Sequence, residues 1–574
     1  MPEKFMNIRY HAAIATDRIL SRSVAPGLQG VGASAAGGGF TSDESAARFY
    51  LSGLMQRDER PLVRGLSAPT RAEVVPDMRM VSVQDLPKTN TRLVRFEQTQ
   101  SRIPIFGSMA VVELSKSHEL VSIDAELAQV GGVSPLANVS PMDALKAIAV
   151  LTGADPATLQ QGDAPSLVYF FHDQPAEAWH LAYFVRDVPA VPKEVRTEIG
   201  DPHWRGHGLG KSPRTLHPLM NYMVDAHSGD VIFYYPASPT ASGTAPLVPV
   251  RCRGNDEDNA VHQFFGRQSG PVFEMFDPFY SVATYDLVQG DIINAQLPNG
   301  AVSSRTGDFQ NSNPAAVAAH VHASAVNNFY RAVLARDSVD DKGMTIVSVV
   351  NTTYAQAESP PEWHNAVWSD NRMWYGQKLE NGKFRSYSRY LDVIAHELTH
   401  GVTQYTSNLV YQGQSGALNE SFSDIFGVII KNWFAKKWTS PQGWDWEIGS
   451  GLGQGGLPLR DLKDPRRTGD PDHMNSFLRT WADSGGVHTN SNIHNKAAYN
   501  LMTSKDESGN YFFGPEESAV LYYLCLVRLN SQATFPKVLQ VLIDVANTYY
   551  AGDPAERDRK IAAITNAYHS VGIQ

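Results

Sequence analysis

His396 and His400 stand four residues apart in LDVIAHELTHGVTQYTSNLVYQGQSGALNESFSD, the stretch from Leu391 to Asp424. The first half of that stretch has a helical pattern, so the two imidazoles project from one face about one turn apart. Glu397 lies beside them, placed to take a proton from whatever binds there. Nineteen residues lie between His400 and Glu420, which falls in a second helical run, NESFSDIFGVII, able to bring a carboxylate to the same spot. Two histidines and one glutamate leave a tetrahedral zinc with one corner for water, the arrangement of a catalytic rather than a structural site.

The paired segments HELTH and GALNESFSD resemble the thermolysin family of zinc metalloendopeptidases. Zinc aminopeptidases with a similar helix carry a GxMEN segment, absent here, and a metzincin needs a third histidine soon after the second, where none stands between His400 and Glu420. The resemblance implies one zinc per chain on His396, His400 and Glu420, with Glu397 as general base. Asp424 is expected to accept from His396 and Asn419 to hold His400. WADSGGVHTNSNIHNKAAY is similar to the family's D-x-G-G-V-H-x-N-S segment, which gives His488 the transition-state role and Asp483 the task of orienting it. Tyr411 joins them as a phenolic donor to the oxyanion, and His494 reads as surface. HNAVWSDNRMWYG looks like the family's substrate edge strand, where amide and carbonyl groups of Asn365 and Ala366 grip the peptide. Arg460 is similar to the arginine that bonds the carbonyl after the cut; otherwise it would sit in a surface salt bridge with Asp461 or Asp464. Phe384, Val393, Ile448, Leu452 and Leu459 would line the specificity pocket, implying cleavage before Leu, Phe, Ile or Val, with Tyr387 standing where a smaller aliphatic is common.

One departure from the family concerns calcium. Asp392, Asp445 and Glu447 match its double calcium site, but Lys431 and Ser450 replace two acidic ligands. A lysine ammonium in the calcium position, paired with Asp392 and Glu447, predicts that the double site is lost. The Gly-rich loop from Glu447 to Arg460 is also shortened. Elsewhere, His320 and His322 are two apart and point to different faces of one helix, which argues against a metal there.

The elements that position these residues come from a chain of 574 residues, too long for one core, with a prior of about three or four domains. A 19% charged and 42% hydrophobic composition is globular. The net charge of −10 argues against a nucleic-acid partner, and no apolar run reaches the ~20 residues of a membrane helix. Cys252 and Cys525, the only cysteines, either pair with each other or both stay free. Near the start, AAIA is the only apolar run before Asp17 and Arg18, so no signal-peptide core is visible. The expectation is therefore a cytoplasmic product, exported by another route if at all, although the family is usually secreted.

The expected fold is α+β. Residues 1–60 read as a partly flexible leader, with a Gly/Ala/Ser-rich linker at 24–41 and a helix capped by Thr41 and Glu44. Residues 61–135 are strand-rich and resemble a fungalysin/thermolysin prosequence module. Residues 136–236 resemble a PepSY-like module, with a helix opened by Ser140, Pro141 and Asp143 and a hairpin turn at His227–Asp230. The stretch 237–250 is a processing linker. Residues 251–406 form the β-rich catalytic lobe with the zinc-site helix, and 407–574 the helical lobe.

The resemblance thus implies a monomeric neutral endopeptidase made as a self-inhibited, self-processing precursor, with its prosequence and its peptide substrates as partners. One alternative is a silent binding protein on the same fold, disfavoured by the presence of Glu397, Tyr411, Asp483 and His488. Another is a zinc enzyme acting on a non-peptide amide.

Overall fold

Partly alternating apolar residues predict strands with one covered face; the amino-terminal half does build one sheet, but the segment TRLVRFEQTQ is buried along most of its length on both faces. The computed structural model describes residues 5–11, 40–57, 77–155, 159, 164–172, 177–188, 192, 220–236, 249–292, 297–310, 312–354, 361–369 and 371–574. Of the expected linkers at 24–41 and 237–250, residues 24–39 and 237–248 lie outside them, and residues 249–250 belong to a strand. Two units form: one of Met1–Lys193, Met220–Tyr234 and Ile543–Ile561, the other of Glu194–Leu219, Tyr235–Leu542 and Ala562–Gln574, each considered for its described residues only.

In the first unit the strands are β1 (Phe5–His11), β2 (Asp77–Leu86), β3 (Thr91–Gln100), β4 (Ile103–Ser115), β5 (Leu120–Ala128), β6 (Ser166–His172), β7 (Ala178–Val188), β8 (Met220–Asp225) and β9 (Val231–Pro236). They run β1-β5-β4-β6-β7-β8-β9, with β2-β3 branching from β4. The long β4 joins the halves, pairing antiparallel with β3 and β5 and parallel with β6 at Ile105 and Tyr169. Helix α1 (Asp43–Arg57) buries Tyr50, Leu51 and Leu54 against Val94, Phe96 and Val112. Its cap is Ser42 rather than Thr41: the Ser42 hydroxyl accepts from the Ser45 amide at 3.1 Å. With β1 at the sheet edge, residues expected to be a leader are part of this sheet's structure. Helix α2 (Pro141–Thr152) starts where expected, closed by a capping box of Ser140 and Asp143, and covers the other end. The β8-β9 turn is also as expected, with Gly229 at φ +85° and Asp225 accepting from the His227 and Ser228 amides.

The second unit opens with β10 (Pro249–Asn255), β11 (Val261–Ser269), β12 (Val272–Glu274), β13 (Phe276–Asp277), β14 (Val282–Asp291) and β15 (Ser303–Ser304). After α3 (Pro314–Leu334) come β16 (Ile346–Thr353), β17 (Ala366–Ser369), β18 (Arg372–Tyr375), β19 (Gln377–Glu380) and β20 (Lys383–Ser386). A mixed sheet runs β13-β14-β16-β18-β17 and leaves β17 at its edge. Helix α3 packs on β14 and β16 and also on α4 (Leu391–Gln404), which carries the two histidines. His320 and His322 are buried in α3 and have partners: His320 bonds Thr284 Oγ1 and the Phe265 carbonyl, and His322 bonds the Ser388 carbonyl.

Helix α5 (Gly413–Phe434) packs against both α4 and α6 (Asp483–Met502). The approach to α4 depends on Gly427, where a Cβ would meet Ile448 Cδ1 at 2.8 Å and the Asp392 carbonyl oxygen at 3.0 Å. Between α5 and α6 lies the two-residue pairing of β21 (Glu447–Ile448) with β22 (Arg460–Asp461). Helices α7 (Pro515–Leu526), α8 (Phe535–Tyr549) and α9 (Pro554–His569) complete the chain. The helical run after Asp424 and the β-rich stretch before it follow the sequence reading. Cys252 and Cys525 are both buried and form no disulfide with each other.

Candidate metal centre

Helix α4 points His396 and His400 toward Glu420 on α5. The two Nε2 atoms are 3.0 Å apart, and they lie 3.5 and 3.4 Å from the Glu420 carboxylate oxygens. A tetrahedral ion with bonds near 2.0–2.1 Å needs its ligand atoms about 3.3 Å apart, so these three fit one zinc. Nδ1 of His396 faces Asp424 Oδ1 at 2.9 Å, and Nδ1 of His400 faces Asn419 Oδ1 at 2.8 Å and Ser423 Oγ at 3.1 Å. Those oxygens accept, so each Nδ1 carries the proton and each Nε2 turns a lone pair to the centre. Burial works against charge on His396, yet Asp424 and Glu420 lift its pKa to about 10, the mark of a site that favours a cation. Among the described residues, this trio is the one group of at least three His, Cys, Asp or Glu arranged to hold a metal.

Glu397, next on α4, accepts from the Trp368 amide of the edge strand β17 at 3.0 Å. That contact was not read from the sequence, because strand and helix meet only in the fold. Gly401 makes it feasible: a Cβ there would stand 3.0 Å from the Trp368 ring.

His488 Nδ1 meets Asp483 Oδ1 at 2.6 Å, and the other carboxylate oxygen accepts from the His488 amide. The backbone achieves this by a run of left-handed residues, Asp483, Ser484, Gly485 and Gly486, before regular helix begins. Two of the four are not glycine, a local strain found mostly at functional sites. Burial alone discourages charge on His488, but Asp483 and Glu420 outweigh it and lift its pKa to about 9. The Tyr411 hydroxyl is 3.1 Å from His488 Nε2 and donates to Glu420. Burial and the neighbouring carboxylates hold that phenol neutral.

Arg460 lies in neither of the two surface pairs. It is buried and forks onto Asp424, Nε to Oδ2 at 2.6 Å and Nη2 to Oδ1 at 2.8 Å. Asn495 Nδ2 adds a further bond to Asp424 Oδ2 at 2.8 Å. Asn495 was missed from the sequence, although it lies seven residues after His488 on the same helix face.

At the substrate edge, the Asn365 amide donates to the Trp363 carbonyl, the Asn365 carbonyl accepts from Gly376, and the Ala366 amide is held by Asn365 Oδ1. Three of the four main-chain groups expected to grip a peptide are thus engaged within the protein. Ile448, Leu452 and Leu459 are buried, the last two around Gly449, and Val393 is buried on α4. Phe384 on β20 is 38% exposed and lines a polar cavity of about 430 Å³ with Asp256, Asp286 and Asn313. Tyr387 is buried.

Two expectations need correction. Lys431 Nζ bonds Asp392 Oδ2 at 3.0 Å, Asp445 Oδ2 at 2.6 Å and the Glu447 carbonyl at 3.1 Å. The Glu447 carboxylate is not its partner, because it turns to Ser450 Oγ and Arg467. His494 is not on the surface either. It is wholly buried, with Nδ1 on Ser421 Oγ at 2.7 Å and Nε2 on the Tyr568 hydroxyl at 2.8 Å, and burial pushes its pKa down to about 3.

Comparison with known proteins gives the family. Residues 252–404 match the family described as thermolysin metallopeptidase, catalytic domain, and residues 407–573 match its alpha-helical domain. Neutral protease B of Bacillus subtilis (strain 168) is 31% identical over 499 residues, covering 85% of this chain and 83% of its own. Bacillolysin of Brevibacillus brevis is 29% identical over 507 residues, with 85% and 83% covered. The precursor of protealysin, a metalloproteinase from Serratia proteamaculans, matches as a solved structure at 29% identity and a TM-score of 0.43, covering 51% of this chain and 87% of its own. With two family domains matched over residues 252–404 and 407–573 and a relative alike over most of its length, the chain belongs to the thermolysin family and is a zinc metalloendopeptidase.

Proposed function

We propose that this endopeptidase cuts peptide bonds on the amino side of bulky apolar residues, with Glu397 as its general base. The observation that carries the reading is the Glu397 carboxylate, next in sequence to His396 and held by the Trp368 amide of an edge strand at 3.0 Å. When bound, zinc supplies a Lewis acid that lowers the pKa of a coordinated water to about 7. Glu397 takes a proton as the water oxygen attacks the peptide carbon and passes it to the leaving nitrogen. His488, kept charged by Asp483, donates to the oxyanion, and the neutral phenol of Tyr411 joins it by turning its one proton from Glu420 to the oxyanion. The Asn365 side chain and the edge of β17 hold the peptide backbone. Val393, Ile448, Leu452 and Leu459 take the apolar side chain after the cut. Arg460 reaches the carbonyl beyond it with whatever donor capacity Asp424 leaves.

Residues 61–236 act as an inhibitory prosequence. A 499-residue alignment to neutral protease B cannot fit between Cys252 and the carboxyl terminus, so the likeness extends into these residues. Processing falls in 237–250. The double calcium site is replaced by the Lys431 ammonium, whose three oxygen contacts occupy the charge that a divalent ion would otherwise neutralise.

The test is to express the full chain beside Glu397→Gln and follow both by mass and by casein cleavage, with and without a chelator. The parent should mature and digest casein until the chelator is added, and the variant should stay full length and inactive. A variant that matures and digests casein like the parent contradicts the reading, and an inactive parent points to the silent binding protein.

A further inference from the structure

We propose that His494 is a positioning residue for the zinc centre, acting through a one-directional chain of buried hydrogen bonds that ends on Asp424. The inference rests on the zinc reading above and extends it to residues outside the metal's ligands and their direct partners. His494, Ser421, Asn495, Asp424 and Tyr568 are all completely buried. The direction of every bond follows from the carboxylate end. Asp424 takes guanidinium donors from Arg460 on both carboxylate oxygens, so Asn495 turns its Nδ2, not its oxygen, to Asp424 Oδ2. Its Oδ1 then faces Ser421 Oγ at 2.6 Å and has to accept, which makes the serine the donor. A hydroxyl has one proton, so Ser421 accepts from His494 Nδ1 at 2.7 Å. The neutral ring is left with a lone pair on Nε2, which accepts from the Tyr568 hydroxyl at 2.8 Å. For a neutral ring, no other assignment avoids setting two acceptors face to face.

The consequence lies at His396. Asp424 Oδ1 holds the His396 Nδ1 proton and so aims Nε2 at the metal position. Arg460 fixes Asp424 from one side, and Asn495 fixes it from the other. If the Asn495 amide turned over, its oxygen would face Asp424 Oδ2 and push the carboxylate away. His494 opposes that: by giving its Nδ1 proton to Ser421 Oγ it leaves the one serine proton for Asn495 Oδ1. The ring is itself held by stacking on Phe535, with centroids 6.1 Å apart and planes 16° apart. Through Tyr568, helix α9 is tied to the same chain.

The experiment uses the full chain with Glu397→Gln throughout, so that proteolysis plays no part in the readout. Zinc affinity is measured by competition with a chromogenic chelator, and the cobalt-loaded protein is examined by its visible absorption bands. Ser421→Ala and His494→Leu should weaken zinc roughly tenfold, the lower end of what partners of metal ligands cost, and should shift the cobalt bands. His494→Asn, whose amide nitrogen can replace Nδ1 as donor to Ser421, should restore affinity and bands. Tyr568→Phe removes a single oxygen at the far end and should fall between. Should His494→Leu fail to fold, Ser421→Ala and Tyr568→Phe carry the test. The proposal is overturned if folded Ser421→Ala and Tyr568→Phe hold zinc within twofold of the parent with unmoved bands. It is also overturned if His494→Asn is as weak as His494→Leu. A parent that binds no zinc defeats the underlying metalloendopeptidase reading instead.

Discussion

His488 shows how a single side chain is set up by its neighbours. Asp483 orients it through two contacts, and Asp483 with Glu420 overcomes the penalty of burial to favour the imidazolium. Removing the ring with His488→Ala should lower kcat roughly 10²–10³-fold, the usual loss for one oxyanion donor. KM and zinc content should stay close to the parent's. Steady-state kinetics on a peptide ester and amide pair, with metal analysis of the same samples, check this; an unchanged kcat would remove His488 from the chemistry.

At the scale of elements, two contacts make predictions. Lys431 on α5 ties α4 to the loop after α5 through Asp392, Asp445 and the Glu447 carbonyl. Its own charge is favoured by Asp392 and Asp445 against burial. Lys431→Ala leaves two carboxylates facing each other, so Tm should fall by several degrees and added calcium should restore part of it. The parent's Tm should not respond to calcium or to a calcium-selective chelator. A parent that loses stability in that chelator contradicts the replacement of calcium by lysine.

The second contact is Glu257, in the turn between β10 and β11, whose carboxylate accepts from the Ser386 amide at the end of β20. Burial raises its pKa from 4.5 to about 7. A raised folded pKa means that the folded chain binds this proton more tightly than the unfolded one. The contribution is therefore present below about pH 4.5 and is lost as the pH rises through about 7. Glu257→Gln should flatten the dependence of Tm on pH across that window, as thermal melts at successive pH values would show. An identical slope in both proteins would contradict it.

The elements also show what the sequence could and could not convey. HELTH and the glutamate on the next helix were legible because ligand spacing on two adjacent helices is local information. The Asp424–Arg460 fork was not, since 36 positions and a loop separate the partners. Asp445 rather than Glu447 meets Lys431 because a turn of the loop decides which carboxylate faces inward. His494 was misread because α6 is rich in Asn, Ser and His, a composition that suggests solvent. In the fold, Asn490, Ser491, Asn492 and Asn495 on this helix are as buried as His494 and bond to one another or to neighbouring groups.

For the whole molecule, the β-rich and helical halves of the second unit were legible from strand alternation and helical runs, and the family match covers both. The helix start at Ser140 and the turn at Gly229 were readable for the same reason: a few adjacent residues determine each. The single sheet of the first unit was harder to foresee, because β4 joins its halves through one parallel contact far apart in sequence. No helix among the described residues is long and apolar enough to cross a membrane. The function of the whole chain depends on one ion shared by α4 and α5, and metal content tests that most directly. Full-length parent and Glu420→Gln, purified alike and dialysed against zinc-free buffer, would be assayed by mass spectrometry for metal, with circular dichroism to verify folding. One zinc per parent chain and a marked loss from a folded Glu420→Gln are the expected results; equal zinc in both, or none in the parent, would contradict the assignment.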